Sequence, residues 1–282
     1  MSLIVVGVDG SPQADAALRW AVDEAGRHDA TVLAVMAWSH LDQHHPDREQ
    51  AFDPDHGEAA AGASLRMAVA GVASPRPVAE RVVCDHPGRA LLEAGEGADL
   101  IVVGARGVGG FTGLLLGSVS ERVVEHARTP VAVVREGAER PASCPVVVGI
   151  DGSPASVEAL HWAAAEARRR GAPLEVVHAW QGPSCGAPPA PSMITTIQEV
   201  ARGTLDEALA DPVLEGVDVD GHLGCGGAAQ RLVYAAQDAS LLVVGSRGRG
   251  AFGRIVLGST SRQLAHHAPC PLVVVPPAVA AA

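Results

Sequence analysis

The chain has 282 residues, of which 48% are hydrophobic and 19% charged, and its formal net charge is −11. This length suffices for two domains with hydrophobic cores, and the acidic balance argues against nonspecific nucleic-acid binding and against docking on anionic membranes. The sequence contains no lysine, which excludes a Walker-type phosphate loop and any mechanism through a lysine Schiff base or lysine adenylation.

The first half alternates strand-like and helix-like segments. A continuous apolar run over residues 3–8 is typical of a strand buried on both faces. Ser11 followed by Pro12 gives a helix N-cap and a first-turn proline, ahead of helical apolar spacing through Ala25. The further predicted segments are strands at 32–38, 78–84, 100–103 and 131–134 and helices at 90–96 and 118–127. Residues 39–62 are polar and histidine-rich and are predicted to form a long loop, with residues 181–192 as its counterpart in the second half.

An internal repeat divides the chain. Residues 6–12 (VGVDGSP) recur as residues 148–154 (VGIDGSP), and the four tryptophans pair, Trp20 with Trp162 and Trp38 with Trp180. A period of a whole domain indicates a duplication rather than a solenoid. We therefore predict two similar α/β domains with parallel sheets. Their bounds are 1–137 and 145–282, joined by a linker at 138–144.

Each half carries the pattern G-x2-G-x9-G-S after its fourth predicted strand. Glycines let a backbone approach a ligand closely and adopt positive φ. A loop that leaves a strand and enters a helix N-terminus offers unpaired N–H groups and a favourable dipole to an anion, and Ser118 with Glu121 would form a capping box there. Ligands in open parallel sheets bind beyond the carboxyl ends of strands. We interpret both patterns as phosphate-binding loops, with a ligand-free glycine loop as the alternative because duplication alone preserves spacing.

These motifs resemble the ATP-binding branch of the universal stress protein family. The motifs are the Val-Asp-Gly-Ser after strand one, the glycine pattern and the Val-Ser helix start, which become Ile-Asp-Gly-Ser, the same glycine pattern and Thr-Ser in the second half, so the resemblance covers nearly the whole chain once per half. It implies two Rossmann-like, doubly wound domains, each a five-stranded parallel sheet in the order 3-2-1-4-5 with helices on both faces. It also implies ATP across the strand ends, with Mg2+ or Mn2+ carried by the nucleotide.

The resemblance also implies roles for individual positions. The loop backbone would hold phosphates, Asp9 and Asp151 would lie by the nucleoside or its metal, and the backbone of Ala37 and Ala179 would read the adenine edge. The residues implied in the first half are Gly7, Asp9, Ala37, Gly104, Arg106, Gly107, Val108, Gly109, Gly117, Ser118 and Val119. Those in the second half are Gly149, Asp151, Ala179, Gly245, Arg247, Gly248, Arg249, Gly250, Gly258, Ser259 and Thr260. Thr260 replaces the family's usual valine, a mild departure because a backbone N–H contact does not depend on the side chain.

Several of these residues have a purely structural alternative. Asp-Gly-Ser after a strand also forms a simple turn with a helix cap, and Arg106 and Arg247 are either solvated loop charges or phosphate ligands. The histidines and aspartates within residues 40–47 lack the fixed spacing of a metal site, so we interpret them as a solvated loop and expect no metal centre. Cys84 and Cys225 are interpreted as small buried residues.

The start of the chain and its cysteines predict a cytoplasmic protein. No signal peptide precedes the first strand, no apolar stretch is long enough to span a membrane, and the five cysteines include no CxxC pair. The apolar last strands of each half favour pairing. We expect the halves to pack around a pseudo-twofold axis through these strands, and a second chain to form a homodimer.

We therefore expect a nucleotide-binding regulator of the stress response, with an adenine nucleotide as its partner and little or no hydrolysis. One alternative is a weak ATPase or an adenylyl-handling enzyme, which would need basic or histidine motifs that the sequence lacks. Another is an interaction module that binds cyclic AMP or no nucleotide.

Overall fold

The computed structural model describes residues 2–39, 57–107, 115–182, 191–248 and 257–278. The chain forms two compact units, a first unit of residues 1–137 and a second unit of residues 138–282. Among the described residues, no helix is both long and apolar enough to cross a membrane.

The first unit alternates strands and helices along the whole of its length. Its five strands are parallel and lie in the order β3-β2-β1-β4-β5. The elements are β1 (Leu3–Gly7), α1 (Pro12–His28), β2 (Thr31–Trp38), α2 (Glu58–Ala70), β3 (Val78–Cys84), α3 (Pro87–Ala94), β4 (Leu100–Gly104), α4 (Ser118–His126) and β5 (Val131–Val134).

The second unit repeats this plan. Its strands are again parallel, in the order β8-β7-β6-β9-β10, and a short 3-10 helix, Pro212–Leu214, precedes β8. The elements are β6 (Val146–Ile150), α5 (Pro154–Arg170), β7 (Leu174–Trp180), α6 (Pro191–Leu209), β8 (Val219–Cys225), α7 (Ala228–Ala235), β9 (Leu241–Gly245), α8 (Ser259–His267) and β10 (Leu272–Val275).

The core of each unit is its sheet. Every residue of β4 and β9 is buried, as the continuous apolar runs predicted. The chain moves one way across the sheet from β1 to β3 and the other way from β4 to β5, so right-handed crossovers cover both faces with helices. The doubly wound fold and its strand order are confirmed. The reversal of strand order opens a crevice between the carboxyl ends of β1 and β4, and of β6 and β9.

The two helices that follow the first strand of each unit begin and end alike. Ser11 caps α1 by accepting the N–H of Ala14 at 3.1 Å, and Ser153 caps α5 by accepting the N–H of Ser156 at 3.3 Å. Each helix stops at a left-handed residue, Asp29 with φ 50° or Gly171 with φ 60°. The predicted N-caps are therefore present in both copies.

The long predicted loops are shorter than the sequence suggested. Helix α2 begins at Glu58, inside the predicted loop 39–62, and α6 begins at Pro191, inside the predicted loop 181–192. The start of α2, EAAAGA, is rich in alanine, which favours a helix by propensity without giving a periodic apolar stripe. Helix α3 also starts three residues before the predicted 90–96, because Pro87 occupies its first turn.

The prediction of buried Cys84 and Cys225 is wrong, because both side chains are exposed. Each is the last residue of an outer strand, β3 or β8. At that corner of a sheet a side chain has neighbouring backbone on one side only.

Candidate functional site

The aspartate after the first strand of each unit is held in a tight turn. Asp9 Oδ1 accepts the N–H of Ser11 at 3.0 Å, and Gly10 supplies a left-handed φ of 79°. Asp151 makes the same bond to Ser153 at 3.0 Å. The simple turn that the sequence offered as a structural alternative for these aspartates is therefore present. It holds Oδ1 of each aspartate and leaves Oδ2 to make other contacts.

The second carboxylate oxygen lies against the glycine loop. A β-carbon built on Gly107 would overlap Asp9 Oδ2, and one built on Gly248 would overlap Asp151 Oδ2. Neither glycine has a positive φ, so of the two general reasons for glycine in such a loop, backbone freedom does not apply at either position. Glycine is needed here because the carboxylate occupies the space that a side chain would fill. The contact brings together the ends of β1 and β4, and equally those of β6 and β9.

The first glycine of each pattern serves packing. A β-carbon on Gly104 would lie 2.8 Å from the carbonyl oxygen of Gln13, and one on Gly245 would lie 2.6 Å from that of Ala155. These glycines let the first turn of α1 or α5 pack directly on the strand end. Gly7 and Gly149 are similar, because their β-carbons would approach Leu91 at 2.9 Å and Leu232 at 2.7 Å.

The third glycine of each pattern caps a helix, and its surroundings would accept a β-carbon without a clash. Gly117 donates its N–H to Ala105 O at 2.7 Å, and Gly258 donates to Ser246 O at 2.8 Å. Their backbones are extended, with φ −81° and −70°, which any residue can adopt. A β-carbon at either position would have no protein atom closer than 3.4 Å. The fold therefore does not require glycine there.

The helices that follow these glycines begin without a side-chain cap. Gly117 and Gly258 are the N-caps of α4 and α8, and no described side chain bonds to either first turn. The predicted capping box is wrong, because Ser118 is already the first helical residue. Within the described ranges no acceptor bonds to the N–H groups of Ser118 and Val119, or of Ser259 and Thr260. Such groups carry the positive end of the helix dipole.

A buried hydroxyl positions each of these helix starts. Ser120 Oγ donates to Gly104 O at 2.6 Å, and Ser261 Oγ donates to Gly245 O at 2.7 Å. The second unit adds a bond from Ser153 Oγ to Arg247 O at 3.2 Å. The first helical turn is thereby fastened to the strand end from which the loop leaves.

The remaining predicted residues lie around the same edge. Arg106 and Arg247 are exposed at the start of the loops, and Ala37 and Ala179 are half-buried next to the last residues of β2 and β7. Val108, Gly109, Arg249, Gly250 and the histidine-rich cluster at 40–47 lie outside the described residues.

Two histidine contacts of the second unit were not foreseen. His178 is 8% exposed, and its Nδ1 lies 2.8 Å from Ile150 O at the end of β6. His161 Nε2 lies 2.9 Å from Asp211 Oδ2. The pKa of Asp211 is lowered, first by the N–H of Val213 and then by His161. A histidine between two apolar residues in the strand-like run LEVVHAW was the available signal for His178.

Comparison with known proteins agrees with the fold. The model of the universal stress protein family matches residues 1–135 and 145–276. The chain is 35% identical to a universal stress protein of Mycolicibacterium smegmatis over 97% of both chains. It is 34% identical to one of Mycobacterium tuberculosis over 96% of both chains. A universal stress protein structure from Archaeoglobus fulgidus shares the fold, with a TM-score of 0.64 at 20% identity over 98% of both chains. The chain belongs to the universal stress protein family, with two of its domains in tandem.

Proposed function

We propose that each unit binds one ATP across the carboxyl ends of its central strands, and that the protein is a nucleotide-dependent regulator of the stress response. The observation that carries this proposal is the pair of helix N-termini without a side-chain cap at α4 and α8, each begun by a glycine whose β-carbon would meet the preceding loop only at ordinary van der Waals distance. Helix starts of this kind favour phosphate. Membership of the family supports the role in stress.

The backbone would bind the phosphates. The free N–H groups of Ser118 and Val119, and of Ser259 and Thr260, would donate to phosphate oxygens. Because these donors are main-chain groups, threonine in place of valine leaves the contact intact. The exposed guanidinium groups of Arg106 and Arg247 would add charge at the entrance.

The aspartates would orient the rest of the ligand. Oδ1 of Asp9 is held by Ser11, so the carboxylate is fixed before any ligand arrives. The carboxylate would accept from the nucleoside or contact Mg2+ or Mn2+ that the nucleotide carries. The main chain at Ala37 and Ala179, one strand away, would contact the adenine edge.

We further propose that hydrolysis is slow or absent. No lysine exists to neutralise charge that develops on the transferred phosphoryl group. The carboxylate of each unit is already engaged in its turn, which disfavours it as a general base. A phosphate-release assay should give a turnover far below about 10 per second, the ordinary enzyme median, and a value near that median would contradict the proposal.

Ligand-induced stabilisation tests ATP binding. Near 100 times the dissociation constant, ATP with magnesium should stabilise the protein by about 2.7 kcal/mol. Mass spectrometry of the small molecules released on denaturation should identify an adenine nucleotide. No melting shift at millimolar ATP, together with no released nucleotide, would overturn the proposal. A shift with cyclic AMP alone would instead favour the cyclic-nucleotide module.

We also propose that the protein is a cytoplasmic homodimer. The apolar character of the last strand of each half, VAVV and LVVV, supports association. Multi-angle light scattering should give twice the chain mass of 28.7 kDa, and the mass of a single chain at micromolar concentration would refute the dimer.

A further inference from the structure

A buried histidine lies one strand away from the proposed nucleotide crevice of the second unit, beside the end of β6. His178 is level with Ile150, the last residue of β6, and β7 continues past it through Ala179 and Trp180. It therefore lies where β6 gives way to the turn that holds Asp151. The side chain is 8% exposed, which is unusual for an imidazole unless its nitrogens have partners.

The hydrogen bond to Ile150 fixes the tautomer of the ring. A carbonyl oxygen only accepts, so Nδ1, 2.8 Å away, carries a proton. In the neutral ring Nε2 is then an acceptor. No described residue bonds to Nε2, and Nε2 is not among the described side-chain atoms that are fully buried without a partner. The ring is thus buried while its acceptor edge still reaches open space.

The first unit offers no such group. The repeat aligns His178 with Met36, which is 6% exposed at the same place on β2. A thioether is only a weak acceptor. The crevices of the two units therefore differ in hydrogen-bonding capacity next to the adenine-reading position, although their backbones follow the same plan.

We infer that His178 Nε2 accepts a hydrogen bond from the nucleoside of the ligand in the second unit, which gives that site a selectivity the first lacks. The donor is the exocyclic amino group of adenine or a ribose hydroxyl. This inference rests on the proposed function. A purely structural role, in which His178 only fastens β7 to β6 through Nδ1, predicts different behaviour of two variants.

The test uses the Gly117→Ala protein, which leaves the second site to be read alone. His178→Asn keeps a side-chain donor close to the Nδ1 position and removes Nε2. His178→Met copies the first unit and removes both groups. Calorimetric titration with ATP should show affinity weakened about three- to tenfold in both variants, the worth of one hydrogen bond. Thermal melting of each variant without ligand reports whether the fold is kept.

Two analogues identify the donor. In the Gly117→Ala parent, either 2′,3′-dideoxy-ATP or the 6-dimethylamino analogue should bind more weakly than ATP, and His178→Asn should abolish that preference. Wild-type affinity in His178→Asn with loss only in His178→Met would overturn the inference in favour of the fastening role. Unchanged affinity in both variants would also overturn it while leaving the proposed function standing. If the parent itself binds no ATP, the proposed function fails and the inference falls with it.

Discussion

The two units use one backbone plan and differ in their side chains. In both, an aspartate lies against a loop glycine, and a helix starts without a side-chain cap. Around this shared plan the second unit has His178 where the first has Met36. If the proposed ATP sites bind phosphate through main-chain N–H groups, their side chains can change after duplication without loss of that contact. We then expect any difference in ligand selectivity between the two sites to come from the few side chains that reach the ligand.

A second difference lies in the long helix after the first strand. Glu24 and Glu166 occupy equivalent positions and are 1% and 0% exposed. Glu24 pairs with Arg27, which is 28% exposed, and lies 3.7 Å from His28, which is 9% exposed. Glu166 pairs with Arg169, which is 39% exposed, and with Arg170, which is 3% exposed. The second unit thus has a guanidinium withdrawn from water where the first has an imidazole, and the loss of Glu166 should leave a more strongly desolvated charge.

The largest expected effect comes from breaking these pairs. Glu166→Gln should destabilise the protein by about 3 kcal/mol because it removes a carboxylate charge from the buried guanidinium of Arg170. Glu24→Gln, the matched change, should cost about 1 kcal/mol because water still reaches Arg27. Urea unfolding monitored by circular dichroism measures both. Equal losses would show that the burial of the arginine does not decide the cost.

The glycines of each loop should separate into two classes. Gly104→Ala and Gly245→Ala place a β-carbon against the main chain of the next helix and should destabilise by about 1–3 kcal/mol. Gly117→Ala and Gly258→Ala should change the stability without ligand by less than about 0.5 kcal/mol, because their backbones and surroundings accept a β-carbon. Differential scanning calorimetry checks this order. A large loss at Gly117 or Gly258 would contradict it.

Asp211 should make the second unit sensitive to acid. Its folded pKa lies below the ordinary value of 3.8, so its contribution to stability is present above that value and is lost as the pH falls through the folded pKa. Asp211→Asn should therefore cost about 1 kcal/mol at pH 7, because it removes the charge that strengthens the bond from Val213 N–H and the contact with His161. The difference from wild type should vanish in strong acid.

The exposed carboxylate of Asp220 serves as the control for this change. It lies 3.5 Å from His222, and both side chains face water, so Asp220→Asn should cost little at any pH. The urea unfolding midpoints of the wild type, Asp211→Asn and Asp220→Asn between pH 2 and pH 7 measure these costs. A loss in Asp211→Asn that does not change with pH would show that packing, not ionisation, explains its role.

The smallest effect concerns the charges of the two loops. Residues 106–114 contain one arginine and residues 247–255 contain three. Screened contacts of this kind are worth about 0–1 kcal/mol each, so the second site should bind ATP at most about tenfold more tightly than the first. Arg249→Ala with Arg254→Ala should remove a preference that shrinks as salt rises. Equal affinities at low salt would refute the contribution of these arginines.

Much of the fold followed from the sequence. The strand at 131–134 was predicted to the residue, because an apolar run between turn signals defines a buried parallel strand. The strand at 78–84 was also predicted to the residue, although its centre is polar and exposed. Helix α2 was missed because its alanine-rich start lacks an amphipathic stripe. The N-cap of α4 is Gly117 and not Ser118. This boundary is set by the hydrogen bond from Gly117 N–H to Ala105 O, which the local sequence does not reveal.

The site was predicted less completely than the fold. Sequence spacing placed Asp9 and the glycines of the loop at one edge, and it explained the glycines by close approach to a ligand and by backbone freedom. The requirement at Gly107 is a long-range contact with Asp9, which only the folded chain brings into place. His178 was overlooked for the same reason, since its partner Ile150 lies on another strand.

The stoichiometry of ATP binding tests the central claim of two nucleotide sites most directly. Equilibrium dialysis with saturating ATP should give two nucleotides per wild-type chain, one for Gly117→Ala or Gly258→Ala, and none for the double variant, because each β-carbon enters the phosphate position of its own unit. The melting temperatures of the unliganded variants should stay near that of wild type. Two bound nucleotides in the double variant, or none in the wild type, would contradict the account.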